Sequence, residues 1–597
     1  MNGDVNQPCC PVWMRLRWPG VCARLCRRRV APQHATNNGS TRSRESRRRI
    51  NRAPSALYSA LGERVRTSTP AALQCALFCG GARCQYELPQ QRSAAIQGLY
   101  SNWVTEDILA MARPSNASIA ARNIIQQFHS WGIRTVFNLQ TPGEHASCGP
   151  PLTSSGFTYD PNIFMANDIY YYNFAWPDYG EASLSGLLDM AKVLSFALQE
   201  GRVAIHCHAG LGRTGVLIAC YLVYSLRVRA NAAIRLVRKK RPRSVQTSGQ
   251  ILCVQQFEHY LLPQTVVFSS KETLNLCKDN RTAEFTLRQC LYRQRATLHG
   301  LEERTFKLLP KIVYWLCERL LKLCGCQHSA GIDFRVRSRA FYKSFMVYKL
   351  RMSKPPDPTT PEEAREPAMP TLPMVEWRDP VEEDIERNLE SVSRITGAPS
   401  NGNGTIPALR VYEAFTADHK SLPDQKQKDL KNLRIEINQQ RDGFAKIDEE
   451  EDPVILAGLL FEWLEGLKQP VLGREDLSSI VARAYNVESC LLALEMEDIM
   501  LLEYLLRFVT RLRPLAATKK VDILRRLLAS LTHQSVNING KCLPSRDFPK
   551  LREGTSSQVI NFLLRMIMEL QKDMVKPGRD DADVIIPPCR RRIKAWK

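Results

Sequence analysis

The stretch that decides the fold is Val203-Ala-Ile-His-Cys-His-Ala-Gly-Leu-Gly-Arg-Thr-Gly215. A β-branched apolar run ends at His206, a glycine-bearing loop follows, and the apolar run Gly215 to Leu226 reads as a helix. Strand, loop and helix in that order form an anion cradle. Successive backbone N–H groups turn inward, and the helix N-terminus adds its positive dipole end. Gly210, Gly212 and Gly215 let the backbone approach a phosphate dianion closely. His208, Ala209, Gly210, Leu211 and Gly212 are therefore read as the phosphate-binding loop.

A cysteine at the mouth of such a loop meets inward amides, a helix N-terminus and, here, Arg213, all of which favour the thiolate over the thiol. Attack by Cys207 on phosphorus would give a phosphocysteine intermediate and split one hard hydrolysis into two easier steps. Arg213 offers a planar fork that bonds two phosphate oxygens and meets the charge spread over the equatorial oxygens. His206 is expected to orient the loop by hydrogen bonding, and Thr214 to donate to the departing sulfur. His208 is expected to line the pocket rim rather than to act as acid or base.

The leaving oxygen needs a proton from outside the loop. Trp176-Pro-Asp-Tyr-Gly180 meets that need, with Trp176 as an anchoring hinge, Pro177 limiting the backbone and Asp178 as the general acid. Asp178 precedes Cys207 by 29 residues, room for one helix and one strand. Downstream, Gln246 and Gln250 are two amides able to position the attacking water, and the sequence does not choose between them.

Working outward, short β-branched runs alternate with amphipathic ones from about Leu99 to Leu262, the pattern of an α/β domain with a central sheet flanked by helices. The catalytic domain is placed at 90–265. Gly132 to Leu139 and Gly201 to His206 read as strands, and Ala182 to Gln199 and Ala230 to Arg238 as helices. Residues 273–350 read as a basic helical extension, with Leu308, Ile312, Trp315, Leu316 and Leu320 at helical spacing. Seven prolines in 353–373 mark a linker. Beyond it, 376–572 reads as a separate C-terminal α-helical domain with an unknown protein partner. There Asp452 caps a helix with Pro453 at its first position, Leu456, Leu460, Trp463, Leu464 and Leu467 share a face, and Pro470 stops it. Ile499, Leu502, Leu505, Leu506 and Val509 form a second apolar stripe.

The formal charge of +23 is concentrated at the start, where twelve arginines in 53 residues face only Asp4 and Glu45. Residues 1–70 are read as a disordered tail, a solvated arm in preference to a contact with an anionic partner or a transit peptide, and 573–597 as a basic tail. No nucleic-acid partner is expected. No apolar run reaches the roughly 20 residues of a membrane span. Nineteen cysteines without regular spacing imply a reducing, intracellular and cytoplasmic setting. Cys75, Cys79 and Cys84 have loosely metal-like spacing but lack a clear fourth ligand, and are read as ordinary thiols.

His-Cys, five residues, then Arg-Thr resembles the signature of the protein tyrosine phosphatases, including their dual-specificity branch. The Trp176-Pro177-Asp178 loop is similar to that family's acid loop, and Gln246 to Gln250 to its glutamine loop. Trp103 to Ser115 and Asn138 to Gly149 are similar to segments of one family member, whose proposed connection is to centrosomes and cilia. The resemblance implies an active phosphoric monoester hydrolase acting on phosphoproteins, on phosphotyrosine and also phosphoserine or phosphothreonine, with no metal or organic cofactor. Leu211 stands where inositol-lipid phosphatases of the superfamily often carry lysine, which tilts the reading away from phosphoinositides, although Arg241 and Arg243 could receive acidic headgroups. Alternatives are a phosphoinositide phosphatase and a phosphoprotein-binding scaffold with little turnover.

Overall fold

The computed structural model describes residues 94–178, 182–269, 285–326, 406–439, 443–484, 486–512, 515–545 and 547–572, with Val65, Thr69, Cys84 and Tyr86 besides. The expectations for the N-terminal tail apart from Val65 and Thr69, for the C-terminal tail, the proline linker, Cys75 and Cys79 lie outside these residues.

The α/β domain is built on a five-stranded sheet. Its strands are β1 (Ser101–Trp103), β2 (Ile108–Met111), β3 (Ile133–Asn138), β4 (Tyr170–Asn173) and β5 (Arg202–His206), in the order β1-β2-β5-β3-β4. Only β1 runs antiparallel; β2, β5, β3 and β4 pair in parallel. Parallel strands need crossovers, and helices on both faces bury the sheet twice. The alternation of the strands shows it. Phe137, Val203, Ile205 and Ile108 enter one cluster, while Val136, Ala204, Leu109 and Met111 enter the other.

The crossover helix α1 (Leu184–Glu200) starts at Ser183, whose hydroxyl accepts from the Gly186 N–H, and leads into β5. Helix α2 (Arg213–Leu226) follows the loop and is buried along nearly its whole length, with Val216, Leu217, Ile218, Leu222 and Val223 in the core. Each such side chain contributes about 1.5–3 kcal/mol relative to exposure. That burial explains the apolar run at 215–226 without a membrane, and no helix among the described residues is long and apolar enough to cross one. Helices α3 (Ala230–Lys240) and α4 (Ser248–Gln264) complete this face.

The helices from Leu287 onward pack into one large hydrophobic cluster. The sequence reading separates the 273–350 extension from the helices beyond the linker, but α5 (Lys311–Leu323) buries Ile312, Leu316 and Leu320 in the same cluster as α6 (Ile406–Thr416), α7 (Pro453–Glu465), α8 (Met496–Arg511) and α9 (Ala517–Thr532). An apolar stripe on a lone helix has to find another to cover it, and this one finds α7 and α8. Asp452 does cap α7, accepting from the Val454 N–H at 2.9 Å, with Pro453 at its start. The helix ends at Glu465 with Gly466 as its C-cap, short of Leu467 and Pro470.

Candidate active site

The loop Cys207–Gly212 leaves the carboxyl end of β5 at the centre of the parallel strands, where sites of open α/β sheets lie. Gly210 has φ +64°, and a Cβ there would run into the Met111 carbonyl, so no other residue fits. Gly212 is the N-cap of α2 and makes no side-chain cap. A Cβ on Gly212 would lie 2.7 Å from Gln250 Nε2 and 3.3 Å from Gln246 Oε1. Both expected amides therefore lie against the loop. The Gln246 N–H donates to Gln250 Oε1 at 2.7 Å, which ties the two together.

Arg213 is buried and held from several sides. Its Nη2 donates to Glu144 Oε1 at 2.5 Å, and Nη1 to Glu144 Oε2 at 2.8 Å, the Trp176 carbonyl at 2.5 Å and the Leu139 carbonyl at 3.2 Å. The remaining donor, Nε, is buried without a hydrogen-bond partner among the described residues. Asp178 stands 3.3 Å from Nη2 and 3.1 Å from His145 Nε2. Burial would raise the Asp178 pKa, but the Arg213 charge and the His145 contacts outweigh it and hold it at about 2. Burial pulls Arg213 the other way, and its carboxylate neighbours keep it above the ordinary arginine value. Trp176 is buried in the core beside Phe137, while Pro177 is exposed.

His206 is fully buried, and its bonding fixes its form. The Cys207 carbonyl can only accept, so His206 Nδ1–H donates to it at 3.0 Å, and Nε2 accepts from the Tyr159 hydroxyl at 2.7 Å. Burial depresses its pKa to about 3, so the ring is neutral. Thr214 Oγ1 is buried and makes no hydrogen bond among the described residues; donation to sulfur is absent from this state. His208 is buried rather than placed at an open rim, its ring stacked on His145 at 4.0 Å between centroids. Leu211 is wholly buried, so its apolar character bears on packing and not on the substrate.

Arg241 is likewise withdrawn from any headgroup. It is fully buried, donating from Nε to the Gly210 carbonyl at 2.5 Å and from Nη2 to the Ala209 carbonyl at 2.9 Å, with Nη1 on Asn102 Oδ1 at 2.8 Å and the Tyr100 ring 4.1 Å below. Burial lowers its pKa to about 10. On the opposite side, Arg113 Nη2 donates to the carbonyls of Cys148 at 2.5 Å and His145 at 3.2 Å, fixing the loop that carries Glu144. Sequence reasoning assigned no role to Glu144, His145, Arg113 or Tyr159. The available signal was Glu144-His145 just after the Thr-Pro-Gly turn that follows β3, at the strand end facing the cradle.

Residues 155–259 match the family model of the dual specificity phosphatase catalytic domain. The α/β domain thus carries a dual specificity phosphatase catalytic domain match over 155–259. The chain is 52% identical over 276 residues to protein tyrosine phosphatase domain-containing protein 1 of Danio rerio, covering 46% of this chain and 38% of that protein. The counterpart in Mus musculus is 53% identical over 274 residues, covering 45% and 36%. The match thus spans little more than a third of these relatives' own length. Dual specificity protein phosphatase CDC14C of Homo sapiens is 30% identical over 150 residues, covering 24% of this chain and 30% of that one. Among solved structures, kinase associated phosphatase aligns at 18% identity over 28% of this chain and 97% of its own, with a TM-score of 0.24. Tk-PTP in the active form aligns at 20% identity over 26% and 95%, with a TM-score of 0.22.

Proposed function

We propose that the phosphatase domain hydrolyses phosphate monoesters on proteins, phosphotyrosine foremost and phosphoserine or phosphothreonine besides, through a phosphocysteine intermediate. The Cys207 thiolate attacks phosphorus, the ester P–O bond breaks, and Asp178, which takes up a proton once it turns from Arg213 and His145 into the closed pocket, gives that proton to the leaving oxygen. Water then attacks phosphorus, steered by Gln246 or Gln250, passes a proton to the Asp178 carboxylate, and releases inorganic phosphate and the Cys207 thiolate.

The observation that carries the reading is the Arg213 guanidinium. It is oriented in advance by Glu144 and the Trp176 carbonyl while its Nε stays unpaired beside the cradle. A phosphate oxygen suits that donor, and a second oxygen suits Nη2 once Asp178 turns from Arg213 toward the leaving group. With Arg241 committed to the loop carbonyls, this mouth offers a phosphoinositide headgroup one cation fewer.

The test is phosphate release from para-nitrophenyl phosphate and from phosphotyrosyl, phosphoseryl and phosphothreonyl peptides. The expected result is turnover abolished in Cys207→Ser and reduced on the order of a hundredfold in Asp178→Ala. Folded wild type without turnover on any of these substrates would overturn the proposal in favour of a phosphoprotein-binding scaffold.

A further inference from the structure

Three soft ligands from three distant parts of the chain meet beside the phosphate-binding loop. They are Cys84, Cys148 and His208, all buried, with their donor atoms within 4.8 Å of one another. Both cysteines are free thiols, and Cys84 Sγ lies 3.7 Å from His208 Nε2. A tetrahedral zinc site has Zn–S of about 2.3 Å and Zn–N of about 2.0–2.1 Å, so its ligand atoms are separated by roughly 3.5–3.8 Å. The observed separation is that of a tetrahedron's edge. We infer that Cys84, Cys148 and His208 form a zinc site that ties the segment carrying Cys84, and the loop carrying Cys148, to the phosphate-binding loop.

The chemistry of the donors selects the metal class. Two sulfurs and an imidazole suit zinc, whereas hard oxygen-seeking ions such as magnesium or calcium would find no oxygen among these three. Three protein donors leave the fourth position of a tetrahedron to water, and His145, whose Nδ1 lies 3.9 Å from Cys148 Sγ, stands beside the site. The other nitrogen of that ring meets the Asp178 carboxylate at 3.1 Å, so the site borders the acid loop. Two thiolates neutralise the divalent ion, so the site adds no net charge to the cradle; its effect is mechanical. It crosses 124 residues between Cys84 and His208, fastening Cys84 to the nucleophile's own loop. The sequence pointed to Cys84 among other thiols but paired it with Cys75 and Cys79; the folded chain pairs it with Cys148.

The test uses the full chain, expressed with zinc in the medium and purified without a metal-affinity step. About one zinc per chain by elemental mass spectrometry is expected, and its loss in the Cys84→Ser/Cys148→Ser double variant. Cobalt exchanged into the wild type should give thiolate-to-cobalt charge-transfer absorption, absent in the double variant. Should that variant not fold, alkylation of the wild type decides: Cys84 and Cys148 react only after chelation. Metal-free wild type that takes up neither ion, with these cysteines recovered as free thiols or as a disulfide, would overturn the inference. So would zinc retained by the double variant, or alkylation of both cysteines at full rate in zinc-loaded protein.

Discussion

Arg213 and Glu144 meet fork to fork, through contacts of 2.5 and 2.8 Å between two terminal nitrogens and two carboxylate oxygens. The pair is 69 residues apart in sequence, and it sets the plane of the guanidinium before any phosphate arrives. Glu144 is thus a positioning residue. In Glu144→Gln one oxygen still accepts, but the charge and the symmetric fork are lost. The expectation is a fall of about tenfold in kcat/KM for para-nitrophenyl phosphate, equivalent to about 1.4 kcal/mol of transition-state stabilisation. Unchanged kinetics in a folded variant would show that the Trp176 and Leu139 carbonyls suffice to aim Arg213.

The phosphate-binding loop is also held from behind. Arg241 meets the carbonyls of Ala209 and Gly210 and the side chain of Asn102 at once, which a lysine ammonium cannot do from one position. Arg241→Lys leaves at least one buried carbonyl without a donor, a cost of about 1–3 kcal/mol. Thermal unfolding of the phosphatase domain should move to lower temperature, and kcat should fall because the loop amides lose their aim. A lower melting temperature with full kcat would mean that the clamp serves stability alone.

The cradle of the candidate site was legible because its residues are contiguous. Cys207, Arg213 and the three glycines lie within nine residues, and one strand-loop-helix reading places them all. Asp178, Gln246 and Gln250 followed from what the chemistry still lacked, and all three stand at the cradle. What stayed hidden came from the tertiary fold. Glu144 and Arg241 are an ordinary acid and an ordinary base in the sequence, and only burial against the loop gives them work. The helical region shows the same limit. The stripe on α5 was visible, but not that its cover lies on the far side of a proline-rich stretch.

His419 offers a pH prediction in the helical region. Its ring nitrogens are buried, and burial together with the Arg526 charge lowers its pKa to about 3, against the opposing pull of Asp418 and the Ala414 backbone. Lys431, Arg434, Glu462 and Glu465 line the same cavity. The folded pKa lies below the unfolded value of about 6.5, so stability from this group is full above pH 6.5 and lost as pH falls toward 3. Between pH 7 and 5 the loss should be about 2 kcal/mol, read as the change in urea unfolding free energy. His419→Gln should remove that part of the slope; an identical slope in the variant would place the titrating group elsewhere.

Beside it, Glu465 on α7 accepts from Arg526 Nη2 at 2.9 Å and from the Ser530 hydroxyl at 2.8 Å, in the buried core. Arg526 reaches Ser530 at 2.6 Å and lies 3.8 Å over the Phe461 ring. Deleting the carboxylate alone takes a charged partner from a buried guanidinium, whereas deleting both charges does not. Glu465→Ala is therefore expected to cost about 3–5 kcal/mol in urea unfolding of the helical region, and Glu465→Leu/Arg526→Met to recover most of it. Because Glu465 lies outside the cradle, kcat of the folded phosphatase domain should stay at the wild-type value in both variants. A double variant no more stable than Glu465→Ala would mean that packing around Phe461, and not the ion pair, sets the cost.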